Sequence, residues 1–213
     1  MDSLNKLKKM RLLFLILLFP IAILVIKNTS LDEKPTISGS LSQTEKAKEA
    51  LEYCQVQGFN TDFCILIDMS IHSGKDRMFV YSFEKGEIVD SALCSHGCGN
   101  APWGRDETKT DPIFSNVEDS HSSSLGKYLI KNRGGSSFGI GVNYRLHGLE
   151  TTNSNANKRD IVLHSWKHVS DTPVYPNGTP EGWGCPAVSN DMMKILDKKL
   201  KATSKPVLLW VFN

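Results

Sequence analysis

Short apolar segments, separated by turns rich in Gly, Ser, Asn and Pro, dominate the body of this chain. Segments of this length are typical of β-strands, and the "EKGE" between two of them is a hairpin signal. The pattern predicts a mainly β domain, a sandwich or half-barrel with a few short helices and functional loops. The predicted strands are 63–70, 76–83, 87–94, 160–164 and 206–212, and shorter apolar pieces lie at 124–130, 138–142 and 144–150.

Two segments have the features of helices, one near each end of this body. The first begins with "SQTE", which fits a capping box, and runs to about Gln57, where Gly58 ends it. The second follows Ser189, a suitable N-cap, and carries an apolar stripe at helical spacing. We therefore predict helices at about 42–57 and 190–200.

The N-terminus carries an uninterrupted apolar run, "LLFLILLFPIAILVI" (residues 12–26), behind a cluster of basic residues. A bilayer span takes about 20 apolar residues, so this run is short, and it fits the two regions of an export signal. Neither a small-x-small cleavage site nor a cysteine follows it. We expect residues 1–27 to be a cytoplasmic basic tail and an uncleaved signal anchor, with a cleaved signal peptide as the alternative.

The charge of the chain argues against nucleic acid as a partner. The formal net charge is +2, and without the basic residues of the N-terminal segment the remainder is slightly acidic. A nucleic-acid-binding domain carries a basic surface instead.

Residues 28–60 read as a polar tether followed by the first helix, and residues 61–213 form the main domain.

The chain has five cysteines, and their compartment affects their chemistry. Beyond a membrane, cysteines tend to pair, and five leave one unpaired. The sequence does not choose a disulfide pattern among Cys54, Cys64, Cys94 and Cys98. A metal site built on "CSHGCG" lacks a second ligand pair, so we predict no metal. Cys185 is isolated from the others and is the candidate free thiol.

Cys185 lies in "EGWGCPAVSN", a glycine-rich turn locked by proline and followed by a helix. A thiol attacks as the thiolate, and a neighbouring imidazole can take its proton. His164, at the end of the predicted strand "DIVLH", is the candidate base. The 21-residue separation allows the connecting loop to fold back. Of the other histidines, His147 is left open between pocket and core, and surface or loop positions are expected for His72, His96, His121 and His168.

The combined motifs "FSN", "SSSLGKY", "YRLHGLE", "NSNANKRDIVLHS" and "GCPAV" resemble the L,D-transpeptidase catalytic domain, in its murein L,D-transpeptidase catalytic domain-like branch. The resemblance covers roughly residues 63–213 and makes 61–213 the catalytic domain. It implies a β-sandwich-like fold in the bacterial envelope and a reaction on peptidoglycan stem peptides. A thioester forms on the cysteine, and an amine of a neighbouring stem then takes the acyl group.

Carried over residue by residue, the resemblance makes Cys185 the nucleophile and His164 the general base. The backbone carbonyl of Ser165 orients the imidazole, and the N–H groups of Gly184 and Cys185 form the oxyanion hole. No cofactor and no metal are implied. The expected partners are peptidoglycan stem peptides and, through the N-terminal helix, the membrane. The expected location is the outer face of a bacterial cytoplasmic membrane, towards the periplasm or exterior, or a secreted state if the signal is cleaved.

The sequence departs from the commonest signature of that family, Ser-x-Gly-Cys-x-Arg. Gly182 stands in place of the serine, and Ala187 in place of the arginine. A substrate carboxylate then needs another cation. The candidate substrate-binding residues are Arg145, Arg159, Ser124 and Trp183.

Three other functions compete with this interpretation. A sortase also places His before Cys but needs a later arginine, and none follows Arg159. A papain-like hydrolase places Cys before His. A peptidoglycan-binding domain with an idle Cys185 is the non-enzymatic alternative. Within the family, water as acceptor makes a carboxypeptidase, and reversal of cross-links makes an endopeptidase.

Overall fold

The structure, a computed structural model, describes residues 41–213. The predicted signal anchor and most of the predicted tether lie outside this range. Within it, no helix is both long enough and apolar enough to cross a membrane.

Eight strands and two α-helices make up the described domain, with one short 3-10 helix at Thr151–Asn153. In chain order they are α1 (Leu41–Gln57), β1 (Phe63–Asp68), β2 (Met78–Ser82), β3 (Glu87–Ala92), β4 (Gly126–Gly135), β5 (Val142–Gly148), β6 (Val162–Ser165), β7 (Ala187–Val188), α2 (Asn190–Ala202) and β8 (Val207–Phe212).

All eight strands belong to one sheet, in the order β3-β2-β1-β8-β4-β5-β6-β7. The pairs β1–β8 and β6–β7 are parallel, and the other pairs are antiparallel. The residues after β3 reach the opposite edge: the Ser95 N–H donates to the Ala187 carbonyl at 2.8 Å, and the Gly182 N–H donates to the His96 carbonyl at 2.7 Å. The mainly β class is confirmed. Because all eight strands form one sheet, the two separate sheets of the predicted sandwich are not present. The contacts between the two edges of this sheet make it barrel-like.

Both faces of the sheet are covered, which explains the continuous apolar run of β1. Cys64 and Leu66 pack with α1 on one face, and Ile65 and Ile67 face the larger core on the other. That core includes the apolar stripe of α2. A strand buried on both faces has no polar alternation, so its sequence reads as one apolar block.

The predicted helices are confirmed, with one difference at the start of α1. Gly58 follows α1 in the left-handed conformation (φ 70°), and the Ser189 hydroxyl accepts a hydrogen bond from Met192 N–H at the start of α2. Ser42 lies inside α1 rather than at its cap. Most of the apolar piece 138–142 is not a strand, since residues 138–141 form the turn between β4 and β5. Two left-handed glycines, Gly139 and Gly141, allow this turn.

Candidate active site

Cys185 lies at the edge of the sheet, two residues before β7. Its side chain is partly exposed, and its sulfur accepts a hydrogen bond from the Val162 N–H of β6 at 3.4 Å. The thiol also approaches the Asp160 carbonyl at 3.9 Å. The nucleophile candidate is thus held against the first residue of the strand that carries the base candidate.

His164 lies in β6, and its backbone N–H donates to the Pro186 carbonyl at 3.4 Å. Its partner across the parallel pair is Ala187. His164 Nδ1 is 3.0 Å from the Ser165 carbonyl oxygen. Since a carbonyl only accepts, Nδ1 carries the hydrogen and Nε2 keeps its lone pair. This contact is compatible with the role that the resemblance implies for Ser165, which stays a prediction.

One cavity of about 130 Å³ brings the two candidates together. Its walls are mostly aromatic and apolar, and a wider groove of about 630 Å³ shares two of its tryptophans. The cavity also includes the predicted substrate residue Trp183, whose exposed ring stacks on His121 with centroids 5.0 Å apart. The residues that line the cavity are Ser95, Trp103, Phe138, His164, Trp166, Gly182, Trp183, Cys185 and Ala187.

Burial keeps both reacting groups uncharged in the resting protein. It raises the pKa of the Cys185 thiol, against the opposing effects of the Val162 N–H and the Arg159 charge. It lowers the pKa of His164, against the opposing effect of the Ser165 carbonyl. The cavity is therefore lined by a neutral thiol and a neutral imidazole.

The turn before Cys185 requires glycine at position 184. Gly184 has φ 103°, and a Cβ there would lie 2.5 Å from the Ser122 carbonyl oxygen. Within residues 41–213, the backbone N–H groups of Gly184 and Cys185 have no hydrogen-bond acceptor. Two free N–H groups beside a nucleophile are what an oxyanion hole requires, so the geometry is compatible with the predicted role.

Arg159 and the serine loop support this turn from behind. Arg159 is partly buried and donates to the Ser115 and Ser122 carbonyls at 2.9 and 2.6 Å, and to the Ser124 hydroxyl at 2.6 Å. The Ser123 hydroxyl donates to the Gly184 carbonyl at 3.1 Å. Ser124 is buried within this loop and does not line the cavity. Its substrate contact therefore stays a prediction, as does that of Arg159.

Arg145 lies on β5 and pairs with Asp160 at 2.8 Å, in an exposed salt bridge. Asp160 has a left-handed backbone (φ 53°) and offers its carbonyl to the Cys185 thiol. Asp160 therefore lies between Arg145 and the Cys185 thiol, and Arg145 itself does not line the cavity.

The turn between β4 and β5 covers His164, a contact that sequence reasoning missed. The Ser165 hydroxyl accepts from the Ile140 N–H at 2.9 Å, and the Phe138 ring lies 5.4 Å from the His164 ring. Gly139 fits because a Cβ there would lie 2.0 Å from the Ser165 hydroxyl oxygen. The signal in the sequence is the partly apolar piece "FGIGV".

A buried polar cluster lies behind the Cys185 turn. His96 lies in the loop after β3, one of the two positions expected for it, but it is fully buried. Arg77 donates to its Nδ1 at 2.7 Å, and its Nε2 is 2.8 Å from the Thr108 hydroxyl. Glu181, also fully buried, accepts from the Thr108 N–H at 2.6 Å. His96 Nε2 lies 3.6 Å from Glu181. However, burial and the Arg77 charge lower the pKa of His96 to about 3, so the imidazole is neutral and the contact is not an ion pair.

All five cysteines are free thiols in the described domain. The four other than Cys185 are buried, and burial raises the pKa of Cys54 to about 11 and that of Cys94 to about 12. Cys185 alone combines exposure with a neighbouring base. Among residues 41–213, no three His, Cys, Asp or Glu side chains are grouped to hold a metal ion.

The sequence matches the family model described as the L,D-transpeptidase catalytic domain over residues 37–210, which is most of the chain. The chain belongs to this family. The resemblance inferred from the motifs is therefore confirmed. No curated protein sequence matched this chain.

Several solved structures of low sequence identity are similar in shape. Bd1075 of Bdellovibrio bacteriovorus is 18% identical over 73% of this chain and 49% of its own, with a TM-score of 0.43. The L,D-transpeptidase of Xylanimonas cellulosilytica is 12% identical over 76% and 68%, with a TM-score of 0.39. The helical cell shape determining protein Pgp2 of Campylobacter jejuni is 14% identical over 70% and 46%, with a TM-score of 0.43. The chain spans about half the length of the first and third, and the family assignment rests on the family match alone.

Proposed function

We propose that the protein is a cysteine-dependent acyltransferase of peptidoglycan stem peptides. The observation that carries the proposal is the shared cavity of Cys185 and His164, with His164 Nδ1 bound to the Ser165 carbonyl. Family membership supplies the substrate class. The N-terminal signal anchor, if it is uncleaved, holds the enzyme on the outer face of the cytoplasmic membrane.

The reaction has two halves, and each balances at the cysteine. In the first, the Cys185 sulfur bonds to the acyl carbon of the third stem residue while His164 Nε2 takes the thiol proton. The bond to the terminal D-Ala breaks, and the leaving amine takes that proton from the imidazolium. In the second, an amine of another stem attacks the thioester while His164 Nε2 takes a proton from it. The carbon–sulfur bond breaks, and the departing sulfur takes that proton, which restores the thiol.

The surrounding residues have supporting roles in this scheme. The free N–H groups of Gly184 and Cys185 stabilise the negative oxygen that forms when the carbonyl is attacked. The Arg159 charge favours the thiolate as the proton leaves. Trp183 and the other aromatic walls exclude water from the thioester, which favours aminolysis over hydrolysis.

The decisive experiment is mass spectrometry of the full chain in detergent, mixed with disaccharide tetrapeptide. We expect a thioester adduct on the wild-type protein with loss of D-Ala, and none on Cys185→Ala. Cys98→Ala is the matched control, because this buried thiol lies outside the cavity and should leave the adduct intact.

The products identify the acceptor. Cross-linked dimers indicate a transpeptidase, tripeptide indicates an L,D-carboxypeptidase, and loss of existing dimers indicates an endopeptidase. A folded, reduced wild-type protein that binds tetrapeptide but forms neither adduct nor product would contradict the enzymatic proposal and favour a peptidoglycan-binding domain.

A further inference from the structure

We propose that the Ser95 hydroxyl is a substrate-binding group of this cavity, donating a hydrogen bond to a carbonyl oxygen of the stem peptide beside Cys185. This inference rests on the proposed substrate class. Ser95 is fully buried, lines the cavity with His164 and Cys185, and its hydroxyl has no hydrogen-bond partner within residues 41–213.

The fold holds Ser95 in place without using this hydroxyl. Its N–H donates to the Ala187 carbonyl at 2.8 Å, and its carbonyl accepts from the Cys94 thiol at 3.4 Å. Alanine would keep both contacts. A buried hydroxyl without a partner costs free energy. An acceptor on the bound substrate would remove that cost, which would explain why a serine stands at position 95.

Position 182 points to the same function. A Cβ built on Gly182 would have the Ser95 hydroxyl oxygen and the His96 carbonyl as its nearest neighbours, both at 4.0 Å. Gly97 and Gly182 form a bridge, so the two chain segments run side by side. A serine at position 182, as in the commonest family signature, would direct its hydroxyl into space next to Ser95. In this chain the adjacent segment supplies a hydroxyl to the space that Gly182 leaves open.

The hydroxyl acts on the substrate rather than on the thiol. In the free protein it is hydrogen-bonded neither to the Cys185 sulfur nor to the His164 ring. The sulfur receives its hydrogen bond from Val162 instead. Removing the Ser95 hydroxyl should therefore change substrate binding and leave the intrinsic reactivity of Cys185 unchanged.

The test compares Ser95→Ala with Thr179→Val, a matched control. Thr179 is also buried with an unpartnered hydroxyl, but it lies outside the cavity. Calorimetry would measure disaccharide tetrapeptide binding to the full chain in detergent, in a Cys185→Ala background that cannot form the thioester. We expect Ser95→Ala to weaken binding about fivefold and Thr179→Val to leave it unchanged. Adding Gly182→Ser to Ser95→Ala should restore most of the loss.

Two further readouts exclude a structural origin. The Tm of Ser95→Ala should be unchanged or higher, because an unpaired buried hydroxyl is removed. With Cys185 present, the rate of alkylation by iodoacetamide should equal that of the wild type. Equal binding by Ser95→Ala and its parent, or a parallel loss of alkylation, would overturn the inference.

The inference and the proposed function fail separately. If Cys185→Ala binds tetrapeptide but the wild type forms no thioester, the enzymatic function is wrong and the binding comparison still decides the role of Ser95. If Cys185→Ala does not bind tetrapeptide, the substrate class is wrong and the inference falls with it.

Discussion

His164 and Cys185 face the same cavity, but the chain holds them in different ways. His164 is fixed locally: it lies within β6, and the carbonyl of the next residue binds its Nδ1. Its contacts with distant segments are the backbone pairing with Pro186 and Ala187, the Ser165–Ile140 hydrogen bond and the Phe138 ring. The orientation of the imidazole itself is set by the adjacent Ser165 carbonyl.

Cys185 depends instead on groups far away in the sequence. The Ser123 hydroxyl binds the carbonyl of Gly184, and Ser122 leaves no room for a side chain there. His96 binds the backbone of Gly182. The comparison teaches that the imidazole of His164 is oriented by its own strand, whereas the path of the Cys185 turn depends on several segments far away in the sequence.

The largest effect on rate should come from the locally held residue itself. We expect His164→Ala to reduce the rate of thioester formation roughly a thousandfold, because no other base lines the cavity among the described residues. The Tm should change little, since the backbone contacts of β6 remain. Rapid-quench mass spectrometry would measure the rate, with His72→Ala as a control outside the cavity. A rate within tenfold of the wild type would remove His164 from the role of base.

A smaller but still large effect should follow from a change in the nucleophile turn alone. Gly184→Ala places a Cβ against the Ser122 carbonyl in a left-handed conformation, so we expect roughly a hundredfold slower acylation. The free energy of unfolding should fall by about 1–3 kcal/mol. Gly86→Ala is the matched control, because Gly86 is also left-handed (φ 67°) but has open space around it. If both variants retained the wild-type rate, the exact path of the turn would not matter for catalysis.

The same contrast explains what the sequence could predict. Strand β1, helix α2 and the Ser189 cap depend on local periodicity and capping, so the pattern revealed them. The Cys185–His164 pair followed from residue type and from the family motifs. The single closed sheet could not be predicted, because the contacts of Ser95 and Gly182 with distant backbone carry no local signal.

The supporting residues were the hardest to predict from the sequence. His96 looked like a loop residue because it sits between small polar residues, yet Arg77 and Glu181 join it in the interior. Arginine and glutamate are rarely fully buried, and histidine is intermediate. Only the tertiary structure shows that Arg77 donates to His96 and that Glu181 lies beside them.

The smallest of these effects tests the remote support of the nucleophile turn through pH. The folded pKa of His96 is about 3, below the value of about 6.5 in an unfolded chain. The unfolded state therefore binds more protons below pH 6.5, and stability falls as pH falls from there towards 3.

Glutamine at this position keeps an acceptor and a donor but does not titrate. Between pH 7.5 and 5.5 we expect the wild type to lose about 1 kcal/mol of unfolding free energy relative to His96→Gln, measured by urea denaturation. Burial raises the pKa of Glu181, and His96 is not among the causes of that shift, so we expect the difference between the two curves to isolate His96. The exposed His168→Gln should follow the wild type. Parallel curves would mean that the pKa of His96 is the same in the folded and unfolded states, which contradicts a neutral buried imidazole. A wild type that gained stability relative to His96→Gln as the pH fell would mean that His96 is charged in the folded protein and that the cluster behind the Cys185 turn is an ion-pair network.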